Sequence, residues 1–392
     1  MAERRYGNNL RRRTRGQQES FFDYTLLFIV LFLLAFGLVM LYSTSSYDGS
    51  SQQGDPAFFL KRQLLSTIIG MVAMIVVANI PYHFWEHFAV LGYVVSIIMI
   101  LLIIPFGYEA NGAKRWLRVA GMSIQPAEVA KLGMILFLAS LICRMGRNIR
   151  TGKGFLIVLM IPMPICLLVW KITENMSSAI IIFGIAVLML FVSSPDYKRF
   201  VLLGLAGVAV CVLAVFVIVS LADSDSGSLG VRGTRILAWL DPEAYASSKV
   251  FQTLQALYAI GSGGILGKGL GQSMQKLGFL PEAQNDMIFS IICEELGLFG
   301  AISILLLFIL LIWRFMVIAN NAPDLFGALL VVGVMGHIAI QVILNVAVVT
   351  NTIPNTGISL PFISYGGSSV LFLLTEIGIV LSVGRGIRLK DL

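Results

Sequence analysis

The amino-acid sequence predicts an all-α membrane protein that crosses the bilayer about ten times. Hydrophobic residues make up 57% of the 392 residues, against roughly 45–50% in soluble domains. Charged residues make up only 12%, about half the usual share. Apolar runs long enough to span a bilayer recur along the whole chain. This composition excludes a disordered chain, a nucleic-acid-binding module and an ordinary soluble enzyme.

The predicted spans follow from apolar runs of about 17–25 residues, taken in chain order. The eighth run is long, and we expect it to begin as a helix near Asn285 and to become fully apolar after Gly297. The ten runs are 24–42, 64–80, 87–105, 126–143, 155–170, 177–193, 200–222, 288–318, 326–349 and 368–385.

The distribution of positive charge predicts the orientation. Residues 1–20 form a basic tail with six arginines immediately before the first span, which the positive-inside rule places in the cytoplasm. Ten spans then put both termini there. Residues 21–392 form a single membrane domain with one large outer loop at about 223–284. Within that loop, 247–260 could form an amphipathic helix on the membrane surface.

The first polar interruption is at the start of the fourth predicted span. Glu128 and Lys131 are three residues apart and therefore share a helix face. Charges inside a span are costly, so the two residues form either a mutually neutralised structural pair or part of a substrate-lining surface. Arg115 and Arg118, just before this span, belong to a basic outer cluster that could hold an anionic head group.

The second interruption ends the large outer loop, at 258–297. Its glycines suggest a phosphate-binding loop, but Ser262 and Gly269 occupy positions where the Walker pattern requires Gly and Ser or Thr. A non-nucleotide phosphate contact by Lys268 stays open. Asp286 stands just before an apolar helix, where the residue type alone favours a helix cap.

The third interruption is the uncharged segment 351–369, which contains Ser364 and Tyr365. Irregular backbone without charge between two spans is typical of a segment that packs in protein or lines a cavity. It could accept a sugar or a lipid tail through neutral groups. Elsewhere, His337 is interpreted as a structural residue, and Glu376 as a lone buried carboxylate for which a proton-linked role stays open.

Taken together, these stretches resemble the SEDS family, the shape, elongation, division and sporulation proteins FtsW, RodA and SpoVE. The resemblance extends from Phe22 to Arg388 and favours an FtsW-like or SpoVE-like branch over RodA. Two departures are TENMSSA at 173–179, in place of a Pro-Asp-x-Gly stretch, and Gln284-Asn285 before Asp286, in place of His-Thr. The stretches that carry the resemblance are NGAKRWLRVAGMSIQPAEVAKL, GSGGILGKGLGQSMQKLGFLPEAQNDMIFSIICEELG and GISLPFISYGGSS.

This resemblance implies a peptidoglycan glycosyltransferase of the bacterial cytoplasmic membrane. Such an enzyme polymerises lipid II, an undecaprenyl pyrophosphate-linked disaccharide-pentapeptide, on the outer face, and works with a class B penicillin-binding protein and division proteins. Asp286 matches the family's essential Asp, and Glu128 and Lys131 match its paired residues. The pyrophosphate calls for cations, and the candidates are Arg115, Arg118, Arg232, Arg235, Lys268 and Lys276.

The chemistry needs a carboxylate to take a proton from a sugar hydroxyl, and cations to stabilise the leaving pyrophosphate. A divalent cation could share that task, but the sequence contains no dedicated ligand set, so no metal site and no cofactor are predicted. Two alternatives are a lipid II flippase or other transporter, and a non-catalytic division scaffold. The transporter hypothesis would use buried groups such as Glu128, Lys131 and Glu376.

Overall fold

The computed structural model describes residues 22–110, 113–119, 122–194, 196–224, 236–237, 239–241 and 251–387. Ten helical segments in this part of the chain are long and apolar enough to cross a membrane, which confirms the predicted number. The helices are α1 Tyr24–Gln53, α2 Phe58–Asn79, α3 His83–His87, α4 Ala89–Leu101, α5 Ile103–Phe106, α6 Pro126–Met145, α7 Gly152–Met160, α8 Met163–Ile172, α9 Met176–Ser193, α10 Tyr197–Ser224, α11 Phe251–Gly263, α12 Ile288–Asn320, α13 Leu325–Val349 and α14 Gly367–Arg385.

Two of the spans consist of two α-helices each. The third span combines α4 and α5, and the fifth combines α7 and α8. The fifth is interrupted where Pro162 precedes α8, since proline has no N–H group to continue the helical hydrogen bonding. The apolar pattern predicted each as one continuous run because such a break leaves hydropathy unchanged.

The core of the bundle is formed by the last two helices. Within their most apolar 18 residues, 67% of α13 and 72% of α14 are buried. α13 packs against α6, α9, α11, α12 and α14, and α14 packs along α2. Residues that project from α13 therefore meet side chains from most of the bundle.

A small antiparallel sheet links the third and fourth spans, a feature that the sequence analysis did not predict. Its strands are β1 Tyr108–Ala110, β2 Ala113–Val119 and β3 Met122–Ile124, in the order β1-β2-β3. The basic stretch NGAKRWLRVAG largely lies in this sheet rather than in an irregular loop. β3 ends two residues before α6, so the sheet sits at the end of the bundle where Glu128 lies.

α12 is broken at Gly297, which has φ +67° and ψ −166°. The glycine-rich segment after α11 docks on the break: Lys268 N–H donates to Glu294 C=O, and Leu298 N–H donates to Gly264 C=O, both at 2.9 Å. A Cβ on Gly267 would lie 2.2 Å from the Glu295 carbonyl oxygen. The glycines therefore allow two backbones to touch, which explains the motif without a bound phosphate.

α11 confirms the helix expected around 247–260, although 247–250 lie outside the described residues. Its small residues Thr253, Ala256, Ala259 and Gly263 are buried, and the helix packs on α12. One face of this helix thus meets protein, and its position at the membrane surface stays a prediction. Small side chains gave this face little apolar signal in the sequence.

Contacts between distant helices fix which ends lie together. At one end, Asp23 caps α1 and accepts hydrogen bonds from Arg314 of α12 at 2.6 and 3.0 Å. At the other end, Ser43 of α1 donates to Glu295 of α12 at 2.8 Å. α1 and α12 therefore run antiparallel, and the start of α12 lies at the end of the bundle opposite to Asp23.

α10 stands apart from the rest of the bundle. None of the most apolar 18 residues within Tyr197–Ser220 is buried, although their mean hydropathy of 3.0 exceeds that of the other nine spans. The helix contacts its neighbours through an aromatic cluster at its start, where the Phe200 ring lies 5.3 Å from Phe155 and 5.1 Å from Phe191.

Candidate active site

Asp286 lies in the turn that leads into α12. The helix begins at Ile288 and its cap position is held by Met287, so Asp286 stands one residue before the position that the helix-cap interpretation requires. Its side chain accepts a hydrogen bond from Gln252 Nε2 of α11, with 3.2 Å between the atoms. The residue is 9% exposed. The carboxylate is thus held by a neighbouring helix, at the edge of the protein interior.

Two amide side chains support this carboxylate. Gln252 Oε1 accepts a hydrogen bond from Asn355 Nδ2 at 3.1 Å, and Asn355 Oδ1 accepts one from Gly357 N–H at 3.0 Å. This sequence of donors fixes the orientation of both amides. Asp286 Oδ2 faces Gly357, and a methyl group added at Gly357 would lie 3.7 Å from this oxygen.

The backbone of Asp286 is held as well. Asn345 Nδ2 of α13 donates to the Asp286 carbonyl at 2.8 Å and to the Ile358 carbonyl at 2.6 Å. Asn345 is fully buried. The carboxylate therefore sits where α11, α12, α13 and the 350–366 segment meet, with both its side chain and its main chain fixed.

Ser364 and Tyr365 lie beside this turn, so this part of the 351–369 segment packs in protein, which is one of the two possibilities predicted from its uncharged backbone. Ser364 Oγ donates to the Asn285 carbonyl at 2.6 Å, and Tyr365 N–H donates to the Gln284 carbonyl at 2.9 Å. The Tyr365 ring meets Phe59 edge to face, and burial raises the pKa of its hydroxyl. In this structure both residues brace the turn that carries Asp286; their contact with substrate stays a prediction.

Glu128 and Lys131 form the predicted ion pair, with 2.7 Å between Nζ and Oε1 and side chains only 6% and 2% exposed, respectively. Lys131 Nζ also lies 3.4 Å from Gln341 Oε1 on α13. Gln341 is one helical turn, roughly 6 Å, from Asn345, which holds Asp286. The ion pair and the Asp286 backbone therefore contact neighbouring positions of α13.

The two predicted arginines lie on β2. Arg115 donates through Nε to the Thr173 carbonyl at 3.0 Å and through Nη2 to the Glu174 carbonyl at 3.2 Å. It therefore joins the sheet to the turn before α9. Arg118 is exposed, and its guanidinium lies over the Tyr108 ring at 4.8 Å. Of these two predicted phosphate contacts, the geometry leaves Arg118 the more accessible.

The two predicted lysines each meet a buried glutamate. Lys268 lies 2.7 Å from Glu294, and Lys276 lies 2.7 Å from Glu295. The Lys268 side chain is 34% exposed and the Lys276 side chain 7%. These contacts give both lysines a structural role, and only Lys268 keeps an exposed surface. Direct binding of substrate by either lysine stays a prediction.

Arg232 and Arg235 lie outside the described residues, as does the basic tail. Among the described residues, no group of three or more His, Cys, Asp or Glu side chains gathers as a metal site would require.

Four polar residues of this site were not predicted from the sequence, and a fifth has a partner that its sequence context did not indicate. Gln252, Asn355, Gln341 and Asn345 were not predicted, and Glu376 is not a lone carboxylate, because it lies 2.8 Å from His337. The spacing of His337, Gln341 and Asn345, four residues apart on an apolar helix, could have indicated a polar stripe. Gln252 and Asn355 lie 103 residues apart and offered no comparable signal.

The fold and the site define a multi-pass membrane protein with a fixed carboxylate at one end of its helical bundle. The FtsW/RodA/SpoVE profile, described as cell cycle protein, matches residues 24–388. The chain therefore belongs to this family, which places it in the bacterial cytoplasmic membrane. The predicted resemblance is confirmed.

Similar proteins agree with the predicted branch. The chain is 41% identical to Stage V sporulation protein E of Bacillus subtilis, over 93% of this chain and 97% of that protein. It is 38% identical to the probable peptidoglycan glycosyltransferase FtsW of Trichlorobacter lovleyi, over 95% of both.

Solved structures share the fold. A chain of a peptidoglycan synthase complex superposes with a TM-score of 0.75 at 27% identity, covering 93% of this chain and 98% of that chain. The rod shape determining protein RodA of Thermus thermophilus gives a TM-score of 0.64 at 26% identity, covering 93% and 97%.

Proposed function

We propose that this protein is a peptidoglycan glycosyltransferase that polymerises lipid II on the outer face of the cytoplasmic membrane, in division or sporulation. The observation that carries the proposal is the position of Asp286, whose carboxylate is fixed by Gln252 and whose carbonyl is fixed by Asn345. A fixed carboxylate near the surface suits a general base.

In the proposed reaction, a sugar hydroxyl of one lipid II molecule attacks the anomeric carbon that joins another lipid-linked sugar chain to its pyrophosphate. A new C–O bond forms, the bond between the anomeric carbon and the pyrophosphate oxygen breaks, and its electron pair leaves with the undecaprenyl pyrophosphate. Asp286 takes the hydroxyl proton. Since one displacement inverts the anomeric carbon, no covalent bond between sugar and protein is required.

The departing pyrophosphate requires positive charge near the anomeric carbon. Arg118 and Lys268 are the best placed of the predicted cations within the described residues, because both expose part of their side chains. Each can donate to phosphate oxygens from the end of the bundle that carries Asp286. We assign a weaker direct role to Lys276, since its ammonium is buried against Glu295 and Ser43.

The likeness to a chain of a complex described as coordinating polymerization and crosslinking supports a crosslinking partner of the penicillin-binding class. Division proteins are further proposed partners. The transporter alternative loses support from the buried charges, because Glu128, Lys131 and Glu376 are all engaged in pairs rather than lining an open path.

The test is purified protein with lipid II, with and without the cognate class B penicillin-binding protein, assayed for glycan polymer. Asp286→Asn should lower the polymerisation rate by roughly 10²–10⁴-fold, since an amide cannot take the proton. Thermal stability and lipid II affinity should change little, because Asn keeps an oxygen for the Gln252 hydrogen bond.

The matched control is Asp55→Asn, which removes a carboxylate from an exposed pair with Lys61 and should leave the rate unchanged. Near wild-type polymer yield from Asp286→Asn would exclude Asp286 as the base. Transport of lipid II across vesicle membranes by the purified protein, without polymer formation, would support the flippase instead.

A further inference from the structure

We propose that His337 and Glu376 bind one proton between them inside the membrane domain, and that this proton holds Gln341 in place beside the candidate active site. His337 and Gln341 lie on α13, and Glu376 lies on the adjacent α14. His337 and Glu376 are fully buried, and Gln341 is 2% exposed. The imidazole is flanked by both partners: Nδ1 lies 2.8 Å from Glu376 Oε2, and Nε2 lies 2.9 Å from Gln341 Oε1.

The orientation of the Gln341 amide is fixed by its other contacts. Its Nε2 lies 3.0 Å from the Ser359 carbonyl oxygen, which can only accept. Its Oε1 lies 3.4 Å from Lys131 Nζ, which can only donate. A reversed amide would oppose oxygen to oxygen and donor to donor. Gln341 therefore presents an acceptor to His337, and His337 Nε2 carries a hydrogen.

The second imidazole nitrogen then requires one more proton. Nδ1 either carries a hydrogen that it donates to a Glu376 carboxylate, or accepts a hydrogen from a protonated Glu376. A neutral imidazole beside an ionised carboxylate would have one hydrogen for two acceptors, so two lone pairs would face each other in either tautomer. Both allowed states contain one proton more than that combination, and the proton belongs to the pair.

The charges around the pair agree with this count. Glu128 and Lys131 neutralise each other, and the extra proton makes His337 and Glu376 neutral as a pair, so the connected cluster has no net charge. Glu376 Oε1 has no hydrogen-bond partner among the described residues. Burial of an oxygen without a hydrogen-bond partner costs less free energy on a protonated carboxyl than on a carboxylate, which favours placement of the proton on Glu376.

Other elements packed on α13 supply no counter-charge that replaces the proton. α9, α11 and the segment 350–366 contain no Asp, Glu, Lys, Arg or His. The turn before α12 contains Asp286 and Glu282, which accepts a hydrogen bond from Asn285. The charged side chains of α12 are all paired: Glu294 with Lys268, Glu295 with Lys276 and Arg314 with Asp23.

The protonated pair connects to the candidate site through one face of α13. Gln341 donates to the Ser359 carbonyl, which belongs to the segment that also carries Ser364. Asn345, one turn along, holds the Asp286 carbonyl. Removal of the proton would leave an unneutralised charge and set one lone pair of the imidazole against an acceptor, which loosens Gln341 and the segment that it holds.

The direct test places the full-length protein in lipid nanodiscs at about pH 7.5, where an ordinary histidine is mostly neutral. The chain has three histidines, so ¹⁵N-histidine NMR with His337→Gln as the assignment control isolates the buried ring. Infrared spectra of wild type and Glu376→Gln identify any protonated carboxyl at Glu376.

Either an imidazolium at His337 or a carboxyl band that Glu376→Gln removes would support the proposal. A singly protonated His337 ring together with no such band would overturn it. Neither readout uses lipid II, so this result is independent of the proposed activity.

A stability comparison gives a second readout. Glu376→Gln can donate to Nδ1 without any extra proton, so it should unfold near the wild-type temperature, whereas His337→Leu should unfold several degrees lower. A Glu376→Gln protein that unfolds as low as His337→Leu would contradict the proposed hydrogen bonding of this pair.

Discussion

Most buried charged side chains in the described part of the chain occur in pairs. Glu128 and Lys131 show this most simply, because a spacing of three residues on α6 brings Nζ within 2.7 Å of Oε1 and almost no water reaches either group. Removing one member of such a pair leaves the other unpaired in a medium of low polarity, whereas replacing both removes the problem.

Lys131→Ala should therefore destabilise the protein by about 3–5 kcal/mol, through the uncompensated Glu128 carboxylate. The double replacement Glu128→Gln with Lys131→Met should cost much less, since both sites then hold neutral side chains of similar volume. Unfolding of the three proteins in detergent, followed by heat and by denaturant, measures the difference. Equal stability of the single and double variants would contradict the pairing as the source of the effect.

Gln252 acts on the proposed reaction through another residue. Its Nε2 donates to Asp286, so Gln252→Leu should remove a hydrogen bond that orients the carboxylate and lower kcat about tenfold or more with little change in KM. Gln255→Leu is the matched control, because it makes the same change on the same helix. A Gln252→Leu protein with wild-type kcat would remove Gln252 from the support of Asp286.

At the scale of elements, the break in α12 explains the glycine-rich segment. Gly297 opens the helix, and Gly267, with φ +79°, brings its backbone against the carbonyl of Glu295. The freed backbone groups of the break are thus used by the docked segment rather than by water. The motif and the break form one unit although they lie about 30 residues apart in the sequence.

Gly267→Ala should lower stability by about 1–3 kcal/mol, since the new methyl group would overlap the Glu295 carbonyl and the residue would be strained at positive φ. Gly261→Ala is the control, because an added methyl group there meets no atom within 4 Å. Thermal unfolding of both variants decides the matter. If Gly261→Ala were the more damaging change, the docking of the two backbones would not be what the glycines serve.

At the scale of the whole molecule, the sequence predicted the ten spans because burial in lipid leaves a direct record in composition. The Glu128–Lys131 pair could be predicted because charges are rare in that background, whereas the resemblance to the SEDS family, and not the residue type, singled out Asp286. The sequence did not predict the sheet at β1–β3, whose short strands carry little alternation, or the docking of α11, whose packed face consists of small residues.

The polar contacts between distant segments also could not be predicted from the sequence. Gln252 meets Asp286, and His337 meets Glu376, only because the helices that carry them pack together. An amide on an outer helix reads as an ordinary surface residue, and a single histidine in a span reads as an isolated one. Their roles depend on tertiary contacts that a one-dimensional pattern does not contain.

The isolation of α10 has a mechanical consequence. Its 24-residue span is about 36 Å long, longer than the roughly 30 Å hydrocarbon layer, so the helix must tilt or the lipid must stretch.

Packing sets the tilt of α13, but α10 is held mainly at its aromatic start, so bilayer thickness should set its inclination. Spin labels on the two helices should show α10 becoming more upright in long-chain lipids while α13 stays unchanged. A constant angle for α10 would mean that its few protein contacts already determine it. Because α10 is followed in the chain by α11, which carries Gln252, the thickness of the surrounding membrane becomes a variable that acts on the support of Asp286.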